Sequence, residues 1–329
     1  MKNGLLFLFV ALVCRPAQAA TDTAAAFLKI EPDAYSAGSG GQGATLGRGA
    51  AGLACNPASA AWRRRGREMD VALAHLEWGA GIREESVAWT GAFGSKRAFG
   101  VEARVVNYGD LDRRDSDGVG EGSFGARSVA VGAVFARPFF TGLAAGVAGR
   151  FLWEQIDVHS GATFAADLGL QGDYPKHGIR FGAAARNLGL AYSLAPGAPA
   201  KGVPIQLAAG ASVRIMPDPE LWLAGEFNEQ PVEHRLATSL GAEWTRALGR
   251  EFVLRLRVGG QAGSRVATMP SAGFTLDASF GALDYAFLYR PGFSSAHRAA
   301  ITVLFGANPA ASAPPPIRPA GSPSKKTGR

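Results

Sequence analysis

From Asp70 to Phe305 the chain lays down one short alternating segment after another. In 282–290, Leu283, Tyr285, Phe287 and Tyr289 share one parity, and Asp284, Ala286, Leu288 and Arg290 share the other. A strand sends two such sets to opposite faces. Apolar and aromatic side chains on one face, with charged and small ones on the other, suit a transmembrane strand that has lipid outside and a polar lumen inside. About fourteen segments of this kind can be marked: 70–78, 85–93, 96–106, 127–137, 142–154, 162–172, 178–188, 204–215, 220–230, 234–246, 251–261, 271–280, 282–290 and 297–305. Most have roughly the 9–11 residues that cross a bilayer at a tilt. The even count is that of a bacterial barrel.

The connections sort by parity. Gaps after even-numbered segments are short: Gly94-Ser95, 138–141, 173–177, 216–219, 247–250 and Gly281. The two longest, 107–126 and 189–203, follow odd-numbered segments. Short turns at one end and longer loops at the other belong to outer-membrane barrels. A soluble sandwich shows the same alternation along its strands but has no reason to divide its loops this way. The expected arrangement puts the N-terminus and the short turns on the periplasmic side.

Charge follows the same rule. Glu102 and Arg104 oppose Phe99 and Val101, and Asp167 opposes Phe164, Leu168 and Leu170. Arg180 and Arg186 oppose Ile179 and Phe181; Arg255 and Arg257 oppose Phe252, Leu254, Leu256 and Val258. Asp277 opposes Phe274, Leu276 and Phe280, while Asp284 and Arg290 oppose the aromatic row of 282–290. A basic side chain facing lipid at the bilayer midplane costs about 2–4 kcal/mol. Turning these ten residues toward the lumen avoids that cost. Both signs occur, so ion-paired networks are expected inside. Trp78, Trp244, Tyr285 and Tyr289 are expected as girdle aromatics; Trp222 shares the inward parity of Glu226.

The flanks read differently. Residues 1–19 form a targeting segment, with Lys2, an apolar run from Leu5 to Val13 and the Ala17-Gln18-Ala19 cleavage signal. Residues 20–69 do not alternate. They are glycine- and alanine-rich around Gly38, Gly40 and Gly41, and carry turn chemistry at Asn56-Pro57. Fourteen strands enclose a lumen wider than their own side chains fill, so this stretch is expected to fold inside as a plug. Residues 307–329 are Pro/Ala/Ser-rich, end on a basic cluster, and read as a disordered periplasmic tail.

Composition narrows the class. Removing the targeting segment takes away Lys2 and Arg15 and lowers the formal charge from +7 to +5. Cys55 is then the lone cysteine, so no internal disulfide is available. Forty-four glycines exceed what a helical domain uses and suit tight turns and close packing.

Local motifs add little chemistry. Gly38-x-Gly40-x-x-Gly43 spells the dinucleotide fingerprint, but no strand-and-helix context surrounds it. Asp110, Asp112, Asp115 and Asp117 hint at a cation in the longest loop, without the EF-hand spacing. The five histidines show no metal-ligand spacing, and no nucleophile–base–orienter set is defensible. Neither enzymatic activity nor a cofactor is expected. The Arg63-Arg64-Arg65-Gly66-Arg67 run reads as a solvated rim, a headgroup contact or a docking site rather than a nucleic-acid patch.

Four stretches, in order, resemble the PorV/PorQ family of outer-membrane proteins, relatives of the FadL-type barrels. They are Phe27-Leu28-Lys29-Ile30 followed by 37–41; Asn56-Pro57-Ala58; Gly122-Ser123-Phe124; and 166–169 paired with 185–189. The resemblance implies a closed antiparallel transmembrane β-barrel, all-β, with fourteen strands and an N-terminal plug in the lumen. It implies an accessory or shuttle role in type IX-like protein secretion or surface assembly, with secretion-system or exported proteins as partners besides outer-membrane lipid and lipopolysaccharide. The alternative it carries is FadL-like passage of hydrophobic small molecules through a lateral opening.

Overall fold

The computed structural model describes residues 23–62, 67–93, 97–249, 251–264, 266–290 and 295–306. The targeting segment, the tail from 307 and residues 63–66 of the arginine run lie outside the described residues.

Fourteen strands follow one another: β1 Met69–Glu77, β2 Arg83–Ala92, β3 Ala98–Arg114, β4 Gly120–Phe140, β5 Leu143–Ile156, β6 His159–Tyr174, β7 Ile179–Gly189, β8 Gln206–Pro217, β9 Glu220–Gln230, β10 Arg235–Leu248, β11 Phe252–Ser264, β12 Val266–Ala278, β13 Gly281–Leu288 and β14 Ala296–Phe305. Each pairs antiparallel with its sequence neighbour, and β1 closes the ring on β14, from Met69↔Phe305 to Glu77↔His297. Closure leaves no unpaired edge, which is the condition for a sheet to stand in hydrocarbon.

The pleat divides the barrel into two surfaces. Along β14, Ala296, Arg298, Ala300, Thr302 and Leu304 are buried, while His297, Ala299, Ile301, Val303 and Phe305 are exposed. Outward aromatics meet across strands: Phe93 packs on Phe99 and Phe99 on Phe135, each with centroids 5.2 Å apart, and Phe151 packs on Phe164 at 5.3 Å. No helix among the described residues is long and apolar enough to cross a membrane; the apolar surface belongs to the strands.

The structure departs from the sequence-based boundaries at the longest loop. Most of 107–126 is strand, because β3 and β4 continue pairing from Asp110↔Gly125 to Arg114↔Gly120 after a register shift at Asn107. The Asp115 carboxylate accepts from the N–H groups of Asp117 (3.0 Å) and Val119 (2.8 Å) and closes the turn. Arg113 pairs with Asp157 at 2.5 Å and lies over Phe124. The second long loop, 190–205, turns inward and buries Tyr192 and Val203. Trp78 also differs from expectation. It packs inward against the Phe27 cluster, under the Arg290 guanidinium at 3.9 Å, instead of joining a lipid-facing girdle.

Residues 23–62 lie against the inner wall. Ala34–Ala37, a helical turn capped by the Asp33 carboxylate, rests on β12 and β13. Gly43–Leu46 rests on β7 and β8, and Pro57–Ala61, capped by Asn56, rests on β4 to β6. Inward glycines make room for this approach. A Cβ at Gly146 would strike Pro57, at Gly169 Asn56, at Gly182 Ala44, and at Gly241 or Gly259 Ser39.

Candidate functional site

The lumen gathers the buried polar side chains, and three ionic clusters tie the wall to the N-terminal segment. In the first, Glu84 takes Arg104 at 2.8 Å and Arg298 at 3.0 Å. Arg298 also donates to Pro32 O at 2.9 Å, and Arg104 to Ile30 O at 3.3 Å. In the second, Arg150 bridges Glu102 and Asp167, each at 2.7 Å, and reaches Leu53 O at 3.5 Å. In the third, Arg257 donates to Thr275 Oγ1 at 2.6 Å, lies 3.7 Å from both Glu243 and Asp284, and stacks 4.1 Å over the Tyr35 ring. Tyr35 O–H donates to Glu243. Burial, then the Glu243 charge, pushes the Tyr35 phenol up to about 12, so it stays a donor.

The remaining sequence-predicted residues take these places. Arg255 pairs with Asp277 at 3.2 Å beside the third cluster. Arg180 lies 3.7 Å from Asp173 and 4.0 Å over the Trp222 ring, near the rim that carries the strand-forming termini. Arg48 of the segment shares Asp173 at 3.6 Å; burial, then the neighbouring Arg180, lowers it to about 10. Arg186 and Arg290 stand apart from all of these at the opposite end.

Asn56 and Pro57 sit at the centre of the segment's attachment. Asn56 Nδ2 donates to Ala44 O at 2.9 Å and to the strand carbonyls of Leu170 and Ala183 at 3.1 Å, while Oδ1 caps Ala58 N–H at 3.0 Å. Gly40, at φ +93°, brings its backbone so close to β11 that a Cβ would stand 2.7 Å from Gly260 N. Gly38 approaches Gly273 of β12, and Gly41 (φ +82°) completes the turn. The three glycines thus work as a backbone contact with the wall. Cys55, fully buried, donates to Glu31 at 3.2 Å; burial first and the Glu31 charge second push its thiol well up.

Sequence reasoning missed several contributors. Glu84, Arg150, Glu243 and Arg298 are as central as the ten expected charges, and the same inward parity marks them. Asp70 and Glu226 receive backbone N–H groups of Ala50 and Thr45, at 3.2 and 2.9 Å. The inward glycines of β5, β6, β7, β10 and β11 were also legible in principle, as glycine on the polar parity inside a strand.

A cavity of about 150 Å³ remains between the segment and the far ends of β7 to β13, bounded by Leu28, Ile30, Arg186, Gln261, Met269 and Arg290 among others.

No family model matches the chain, and no curated protein matches it by sequence. Solved structures do match in fold. The toluene transporter TbuX of Ralstonia pickettii superposes with a TM-score of 0.60 at 15% identity, over 83% of this chain and 98% of that one. The Pseudomonas putida toluene transporter TodX gives 0.59 at 11% identity, over 82% and 96%. A Pseudomonas aeruginosa FadL homologue gives 0.55 at 8% identity, over 83% and 98%. The chain is therefore a closed fourteen-stranded antiparallel barrel of the FadL-like fold. The likeness reaches the FadL-type barrels, and the PorV/PorQ resemblance gains nothing from it.

Proposed function

We propose that the protein is an integral outer-membrane barrel that passes small hydrophobic molecules, without catalysis, and that residues 23–62 are its plug. The observation that carries this reading is the superposition on two toluene transporters over nearly their whole length; the hydrogen bonds between residues 23–62 and the inner wall support the plug. Buried side chains from Asn56, Gln42 and Arg257 stand where a water-filled porin has open space. A hydrophobic molecule gains nothing from such a polar crossing, so an exit through the wall suits it better. Support for such an exit comes from the junction of β6 and β7. The register shifts between Ala166 and Leu168, Asn187 adopts φ +60°, and its amide is held by Pro204 O at 2.9 Å.

Outer-membrane lipid and lipopolysaccharide are the surroundings of this barrel, with both termini on the periplasmic side. The secretion role implied by the PorV/PorQ resemblance finds no support among the structural relatives and ranks below transport. Uptake of labelled toluene by cells with and without the gene is the direct test. Faster uptake with the gene is expected, and equal uptake rejects the transport reading.

A further inference from the structure

Three outward side chains on neighbouring strands stand in one row. Arg83 of β2 lies opposite Asn107 of β3, and Asn107 lies opposite Arg127 of β4. All three are exposed, while Glu84, Val106 and Ser128 beside them turn inward and are buried. Paired strands run about 4.8 Å apart, so the two arginines leave the wall about 10 Å from each other, with the asparagine between them. Arg127 forms no ion pair with a described residue. Asn107 Oδ1 accepts from Gly109 N at 2.9 Å, which leaves the Nδ2 hydrogens for another acceptor. Arg83 gives its Nε to Glu77 at 3.0 Å and keeps both Nη groups; an exposed pair of this kind is weak. Glu85, the next outward residue of β2, is taken by His75 Nδ1 at 2.7 Å.

The row is also a boundary. The pairing of β3 with β4 shifts register immediately beyond it, where Gly109 stands at φ +73°. A bulge disrupts the ladder and turns the strand, so this is the last row of the regular wall between the two strands. On the other side the outward positions of β3 and β4 are apolar: Val105 and Val101 on one, Val129 and Val131 on the other, then Phe99 packed on Phe135 at 5.2 Å. Such a surface matches a molecule with anionic groups at one end and hydrocarbon below them.

We propose that this face of β2 to β4 is a binding site for lipid A, the doubly phosphorylated glycolipid of the outer leaflet. Arg83 and Arg127 meet its phosphates, Asn107 donates between them, and the acyl chains lie along the valines. A guanidinium fork matches phosphate oxygens with two parallel hydrogen bonds. Lipid A carries a phosphate at each end of a disaccharide, so two arginines set apart on one row fit it better than they fit the single phosphate of a phospholipid. The site rests on the outer-membrane placement with the short turns in the periplasm, and not on the transport activity.

The test is native mass spectrometry of the full-length protein in detergent, titrated with bis-phosphorylated lipid A, with phosphate-free lipid A and with phosphatidylglycerol. A saturable one-to-one adduct with bis-phosphorylated lipid A, at least about tenfold tighter than with either other lipid, is expected from charge-assisted hydrogen bonds. The double variant Arg83→Gln with Arg127→Gln, checked for barrel assembly by its heat-modifiable migration, is expected to lose that factor. Should it not assemble, Arg127→Gln alone is expected to weaken the adduct several-fold. Arg137→Gln, at the other end of the outward side of β4, is expected to bind as the parent does. Equal binding of phosphate-free lipid A or of phosphatidylglycerol, or unchanged affinity in the assembled variant, overturns the proposal. A loss in Arg137→Gln instead would put the outer leaflet at the other end of the barrel and overturn it too. Toluene uptake is measured separately, so either reading can fail alone.

Discussion

Arg298 holds Glu84 with two hydrogen bonds, from Nη1 at 3.0 Å and Nη2 at 3.1 Å, and both side chains are 1% exposed. The residues lie 214 positions apart and come from β14 and β2, on either side of β1 at the ring closure. Arg298 Nη1 also donates to Pro32 O, so one guanidinium joins the barrel seam to the N-terminal segment.

Glu84→Ala removes the acid from between Arg104 and Arg298 and leaves two buried guanidiniums facing each other. The expected loss is about 3–5 kcal/mol, since breaking a buried pair strands the remaining charge. Glu77→Ala, which breaks an exposed pair with Arg83, is expected to cost about 0–1 kcal/mol. Urea unfolding of the two variants in detergent, followed by heat-modifiable migration, gives the comparison. Equal midpoints would contradict the role of the cluster.

If residues 23–62 are the plug, deleting them should give a barrel that inserts and conducts ions in planar bilayers, since they are hydrogen-bonded to the inner wall. A barrel that inserts yet stays closed excludes them as the plug. Asn56→Ala is the gentler form. It removes the two N–H donors of Nδ2, shared among the carbonyls of Ala44, Leu170 and Ala183, and the Oδ1 cap on Ala58 N–H, each hydrogen bond contributing about 1 kcal/mol. Maleimide labelling of Cys55, buried and held as a thiol in the folded chain, should then run faster than in the parent.

Leu256 faces outward and is 45% exposed, between the two inward arginines 255 and 257. Leu256→Arg should cost about 2–4 kcal/mol at mid-membrane and reduce assembly, while Leu256→Met should assemble normally. Similar heat-modifiable fractions for the two would refute the outward assignment.

Glu233 supplies the pH test. Burial raises its carboxyl, but the Lys29 and Thr23 hydrogen bonds and the Lys29 and Arg235 charges outweigh burial and hold it below the usual 4.5. A depressed carboxyl stabilises above its unfolded value, and that contribution disappears as pH falls through the folded value. Attachment of residues 23–29 should therefore hold above about pH 4.5 and loosen under stronger acid, as read by hydrogen exchange corrected for intrinsic rate. Glu233→Gln should abolish the pH step; a step that persists assigns it to another group.

Much of the barrel was legible because lipid enforces a period of two on every spanning strand. Val303 and Thr302 had to differ in polarity, and the same pressure fixed the parity of Arg257 and Asp284. The ladder within 107–126 is not legible in the sequence, for the complementary reason. Beyond the bilayer that pressure ends, and glycines such as Gly120, Gly122 and Gly125 hide a ladder that hydrogen bonding alone maintains. The position of Trp78 near a strand end suits a girdle, whereas Arg290, distant in sequence, draws it inside.

By itself, then, the order of residues determined the strand count to within small boundary shifts and the closed all-β class. Those are properties of single segments against hydrocarbon. Which acid meets which arginine was decided only by closure of the ring and by the segment packed within it. Glu84 with Arg298 and Glu102 with Arg150 are outcomes of spatial neighbourhood across strands, and no local period encodes them.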